Sequence, residues 1–72
     1  MALYSGEDGL AEIRQIASVA ARRLRSGGFV ITEHTEAQGD AVQRCFTDAG
    51  LRDARTFRDL TDRPRFTVAW QQ

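Results

Sequence analysis

The chain has 72 residues, so it holds at most one domain, and a domain of this size buries only about 60% of its extended-chain surface. Its hydrophobic fraction of 42% and charged fraction of 28% are those of a globular chain, and its formal net charge is zero. That balance argues against a general electrostatic grip on nucleic acid or on an anionic membrane.

All ten basic residues are arginine. Their scatter reads as a GC-rich coding bias rather than as an anion-binding face, which leaves an arginine-based nucleic-acid binder as the weakest functional class. The single cysteine excludes an internal disulfide and a Cys-only metal site, and the single histidine excludes a structural zinc centre of the usual kind. No apolar stretch approaches a membrane span, and Met1 to Gly9 has neither a basic segment nor an apolar signal core. The expectation is a cytoplasmic chain with a reduced thiol.

In chain order, Ser5 or Asp8 is suited to cap a first helix, with Glu7 and Asp8 at its positive end. Leu10, Ile13, Ala17, Ala20 and Leu24 recur at three- and four-residue steps and define its apolar stripe, which Ile16 and Val19 widen. Arg14, Arg22, Arg23 and Arg25 fall toward the other side and the negative end. Ser26-Gly27-Gly28 is expected to end the helix, a glycine taking the left-handed position after its cap.

Phe29-Val30-Ile31-Thr32 is a short apolar run without alternation, the pattern of a strand covered on both faces. Thr35 and Gln38 have capping-box spacing for a second helix starting at Glu36. Ala41, Val42, Cys45, Phe46 and Ala49 give its buried face, and Gly50 its end. Cys45 on that stripe reads as a packed thiol rather than a reactive one.

Ala54 to Arg58 is a plausible strand, Asp59 to Arg63 a loop, and Pro64 a strand opener. Phe66, Val68 and Trp70 then alternate with Thr67 and Ala69. The order helix-strand-helix-strand-strand predicts an α/β unit. A right-handed crossover sets the first two strands parallel, and the hairpin returns the last strand between them. The result is a small mixed sheet with the last strand in the middle. Its outer strand, 29–33, has a flat apolar edge of the kind that recruits another strand, and the chain reads as the end of a larger sheet.

The ordered set Ala2-Leu3, Gly6, Asp8-Gly9-Leu10, Leu24, Gly27-Gly28, Glu33-His34, Gln38-Gly39, Ala41-Val42, Ala49-Gly50, Asp59-Leu60 and Arg65 resembles the C-terminal segment of HemK-type release-factor glutamine N5-methyltransferases. The resemblance covers nearly all of residues 1–72, as a single partial domain. Thr35 and Asp62 depart from it, each standing where that family commonly has glycine; the second puts the shape of the hairpin loop in question.

The resemblance implies a Rossmann-like methyltransferase fold, S-adenosylmethionine as cofactor of the full-length family and a translation release factor as its partner. It also implies that the Gly-rich cofactor loop and the Asn-Pro-Pro-Tyr motif lie upstream. Pro64 is the only proline and no G-x-G occurs, so this stretch is expected to be inactive alone, with no cofactor of its own. Methyl transfer needs donor and acceptor held in line, which this stretch does not do by itself.

On that reading Glu33 and His34 line the rim of the acceptor pocket: Glu33 accepts a hydrogen bond and His34 shapes the wall. The plain reading has Glu33 bonded to nearby amides and His34 partly exposed. A Cys45–His34 nucleophilic pair is disfavoured because Cys45 points to the core. Asp59 and Arg65 are expected to pair across the loop. No catalytic, cofactor-binding or metal-binding residue is assigned. The competing functional class is a non-enzymatic α/β interaction module that self-associates, or joins a separate N-terminal half, through residues 29–33.

Overall fold

The structure, a computed structural model, describes residues 10–72. The element order is α1 (Ala11–Arg23), β1 (Phe29–Glu33), a 3₁₀ turn (Glu36–Gln38), α2 (Gly39–Asp48), β2 (Arg52–Arg58) and β3 (Pro64–Trp70). The expected caps Ser5 and Asp8 lie outside the described residues.

The sheet order is β1-β3-β2, with the last strand central as its alternation implies. β3 runs antiparallel to both neighbours, so every hydrogen-bonded pair is antiparallel; β1 and β2 share a direction across it. Both helices pack on one face. Ile13, Ala17 and Ala20 of α1 and Val42 and Phe46 of α2 close on Leu51 and Ala69 to make the core.

Within the described residues β1 is covered on one face only, where the sequence pattern predicts cover on both. Val30 and Thr32 turn toward the helices, whereas Phe29 is 59% and Ile31 53% exposed on the opposite face. The unbroken apolar run hid an alternation that the pleat imposes. Phe57, also exposed, lies on this outer face with half-buried Phe66 and Trp70, so the open side of the sheet is largely apolar.

The two helix ends differ. α2 closes in a Schellman motif: Gly50 (φ 98°) donates to Thr47 O at 3.0 Å, and Leu51 donates to Phe46 O at 3.1 Å. Leu51 is buried there with Phe46, which supplies the apolar contact of that motif. α1 instead ends on Leu24 in an extended conformation. Gly27 (φ 83°) serves a later turn, closed by Gly28 N–H to Arg25 O at 2.8 Å, that feeds β1. The glycine is therefore a turn residue and not the helix cap.

At the start of α2, Thr35 N–H donates to Gln38 Oε1 at 3.0 Å, the reciprocal half of a capping box. The first turn is 3₁₀, so α2 begins at Gly39 and not at Glu36. β2 begins two residues before the expected Ala54. An extra residue between the pairs Arg52↔Trp70 and Arg55↔Val68 makes a bulge, with Asp53 at φ 56°.

Candidate functional site

Open parallel α/β sheets present ligand-facing groups beyond the carboxyl ends of their strands, and the carboxyl end of β1 is the candidate edge here. Three segments meet there. Glu33 stands opposite Phe66, Phe66 stands opposite Phe57, and the 59–63 loop joins β2 to β3 at the same end. An open depression of about 520 Å³ lies beside the loop, lined by Arg58, Asp59, Leu60, Thr61 and Phe66.

Glu33 and His34 are adjacent in sequence, yet the pleat sends them to opposite faces. Glu33 is exposed on the row of Phe29 and Ile31. His34 continues the ladder through its N–H to Arg65 O at 2.9 Å, and its ring falls on the helix side, 1% exposed. The structure thus places Glu33 on the exposed outer face at the end of β1 and His34 inside the domain beneath α2.

Both ring nitrogens of His34 are engaged. Nδ1 lies 2.7 Å from Thr35 O, and Nε2 lies 2.7 Å from Thr67 Oγ1. Thr67 is fully buried at the centre of β3, and its hydroxyl lies 2.9 Å from Thr56 Oγ1 on β2. Gln43 on α2 donates from Nε2 to that same Thr56 oxygen at 2.7 Å. The ring has no nitrogen left to act as a base for Cys45, which is half-buried in a separate depression with Arg14, Ser18, Asp48 and Ala49.

Gly39 roofs this polar group. A Cβ built there would meet Thr56 Cγ2 at 3.4 Å and His34 Cε1 at 3.7 Å, so the small residue lets the first turn of α2 sit directly over the side chains. Sequence reasoning had no role for Thr56, Thr67, Gln43 or Gly39 here. The available signal was threonine on the inward register of two apolar strands, where an unpartnered hydroxyl is costly.

The loop is held by Asp59. Its Oδ1 accepts from Thr61 N at 2.8 Å, Thr61 Oγ1 at 2.6 Å and Arg63 N at 3.2 Å. The hydrogen bond from the Thr61 hydroxyl is the main cause that lowers the carboxyl below its ordinary pKa, with the two amides and Arg65 acting in the same direction. Arg65 Nε lies 3.5 Å from Asp59 Oδ2, the expected pairing across the loop. Asp62 adopts the left-handed conformation, with φ 62°, and Arg58 Nη1 donates to its carbonyl at 3.1 Å. Leu60 projects fully into solvent from the loop tip.

Among the described residues there is no cluster of metal-ligating groups, and no helix is long and apolar enough to cross a membrane. The 3₁₀ turn that opens α2 is capped by its own Thr35 and Gln38, and Gly39 faces Thr56 and His34 within the domain.

The architecture is that of a two-layer α/β unit with one sheet face covered, compatible with the C-terminal part of a methyltransferase fold. By sequence the chain corresponds to the C-terminal segment of release factor glutamine methyltransferases. It is 49% identical over 70 residues to the release factor glutamine methyltransferase of Streptomyces coelicolor, covering 96% of this chain and 25% of that protein. The corresponding protein of Mycolicibacterium smegmatis is 44% identical over 69 residues, with 94% and 25% covered. That of Escherichia coli is 40% identical over 67 residues, with 93% and 24% covered. The chain therefore spans about a quarter of the length of these relatives. No protein-family model matches it.

Proposed function

We propose that these residues form one wall of a cytoplasmic, S-adenosylmethionine-dependent enzyme that methylates the N5 amide nitrogen of a glutamine in a translation release factor. The observation that carries this reading is the match along 96% of the chain to a protein named release factor glutamine methyltransferase. Two physical features support it. The outer sheet face exposes Phe29, Ile31 and Phe57, and β1 has β3 as its one neighbour among the described residues. An apolar face and an open strand edge are both seams that a larger domain closes.

On this reading Glu33 and His34 belong to the acceptor side, Glu33 at its rim and His34 behind it. On the same reading the cofactor is held by other parts of the enzyme, where the resemblance puts the Gly-rich loop. The 72 residues alone are inactive: they contain neither a Gly-rich cofactor loop nor an Asn-Pro-Pro-Tyr motif.

The test is a chimera in which these residues replace the matching quarter of the Streptomyces coelicolor protein. The expected result is transfer of a labelled methyl group to a release factor by the chimera, and no calorimetric binding of S-adenosylmethionine by the 72 residues alone. A folded chimera that binds S-adenosylmethionine but transfers nothing contradicts the family role. Binding by the isolated chain contradicts the inactive-segment role.

The alternative, a non-enzymatic module that pairs through residues 29–33, is favoured only by the open edge of β1. Sedimentation of the isolated chain at high micromolar concentration tests it. A monomer whose β1 amides exchange freely removes it.

A further inference from the structure

The side chains around His34 form a sequence of hydrogen bonds whose directions all follow when the ring is neutral. The Thr35 carbonyl can only accept, so Nδ1 of His34 carries the proton. In the neutral ring Nε2 is then an acceptor, so the Thr67 hydroxyl donates to it. That commits the Thr67 oxygen to accept from the Thr56 hydroxyl, which in turn accepts from the Gln43 amide. The result is a one-way relay, Gln43 to Thr56 to Thr67 to His34 to the Thr35 carbonyl. It runs from α2 across two strands to the corner where β1 ends, and links of this kind reinforce one another in a low-dielectric interior.

The corner it reaches carries Glu33. His34 and Thr35 lie between β1 and the 3₁₀ turn, fixed on one side by His34 N–H to Arg65 O and on the other by Thr35 N–H to Gln38 Oε1. The ring bridges the two, gripping the Thr35 carbonyl from one nitrogen and the sheet through Thr67 from the other.

We propose that Thr67, Thr56 and Gln43 are positioning residues of the acceptor edge, which through His34 set the backbone corner that presents Glu33 to the substrate polypeptide. This rests on the reading that the edge is part of a glutamine methyltransferase. None of the three touches substrate; each acts through the residue after it in the relay.

The relay is tested on the chain itself by long-range proton–nitrogen spectra of His34 and by amide exchange. The wild-type ring is expected as the Nδ1-protonated tautomer. Thr67→Val is expected to move the Nε2 resonance and to speed exchange at His34 and Thr35 about tenfold, the effect of one lost buried hydrogen bond. Thr67→Ser is expected to restore both, and Gln43→Ala to give a weaker form of the Val effect with the fold intact. A ring protonated at Nε2 overturns the relay, as does a Thr67→Val chain whose Nε2 resonance and exchange match the parent.

The positioning role is read in the chimera described above. There Thr67→Val is expected to lower kcat with the KM for S-adenosylmethionine unchanged, and Thr67→Ser to recover it. If the spectra change as stated while kcat holds, the relay is real but the edge is not the acceptor wall, and the positioning role falls. If the parent chimera is inactive, the family reading falls and takes that role with it, while the spectra still decide the relay.

Discussion

Gln71, at the far end of the chain, closes the carboxyl end of α1: its Nε2 donates to Ala21 O at 2.7 Å and to Leu24 O at 3.3 Å. Its main chain meanwhile extends the β1–β3 ladder, exchanging hydrogen bonds with Gly27 and Gly28. A residue some fifty positions away thus does for α1 what a C-cap glycine does for α2. Gln71→Ala is expected to lower stability by about 1 kcal/mol, the net worth of such a bond. In a domain of this size that is about 4–8 °C in Tm. Gln71→Glu is expected to be worse, because it removes the donor and sets a negative charge at the negative end of the helix. Thermal melts of the two variants check the order.

Gly39 is a helical residue with room for a methyl group and for little more. Gly39→Ala brings a Cβ to 3.4 Å from Thr56 Cγ2, an ordinary contact, and is expected to be neutral or to stabilise by up to about 1 kcal/mol through helix propensity. Gly39→Leu drives a side chain into Thr56 and His34 and is expected to cost about 1–3 kcal/mol. Denaturant midpoints of both variants provide the comparison.

Asp62 holds a left-handed backbone that glycine adopts without strain. The hydrogen bond from Arg58 goes to its backbone carbonyl and survives any substitution that keeps the turn. The Arg58–Asp62 ion pair at 3.5 Å is exposed and is worth about 0–1 kcal/mol. Asp62→Gly is therefore expected to leave stability unchanged or slightly raised, and Asp62→Val to cost about 1–2 kcal/mol. Equilibrium unfolding that finds Val no worse than Gly contradicts the strain argument.

Asp59 gives the loop an acid limit. Its carboxyl pKa is lowered in the folded state, foremost by the Thr61 hydroxyl. A depressed acid contributes stability above its unfolded value, near 3.8, and loses it as pH falls through the folded value. The parent is therefore expected to lose stability below that point more steeply than Asp59→Asn, whose amide does not titrate. Urea titrations at neutral pH and on the acid side of 3.8 measure the two slopes.

Ile31 separates folding from assembly. It is 53% exposed on the outer sheet face, so Ile31→Glu is expected to leave the stability of the chain within about 0.5 kcal/mol. In the chimera the same change buries a carboxylate in the seam and is expected to abolish soluble assembly. A fully active Ile31→Glu chimera removes the seam from the proposal.

Much of the chain was legible because its rules are local. Gly50 specifies the end of α2, and Thr35 with Gln38 specifies a cap. Pro64 and the alternation of Phe66, Val68 and Trp70 specify a central strand that starts after a five-residue loop. The site was less legible. Glu33-His34 reads as a pair in sequence, but β1 offered no alternation from which to phase it. The face of each side chain therefore became visible only in the register Glu33↔Phe66. His34 then proved to be a buried partner of Thr67, thirty-three residues away.

By itself the sequence determined the elements, their order, the central place of the last strand and the correspondence to a methyltransferase segment. These follow from hydrogen bonds and periodicities within a few residues, and from residue identity. Tertiary structure alone decided that both helices share one face, that Phe29 and Ile31 stand bare, and that Gln71 caps α1. It also decided that Gln43, Thr56 and Thr67 converge on His34. Each of these depends on which distant surface a side chain meets, and packing in three dimensions settles that where local pattern does not.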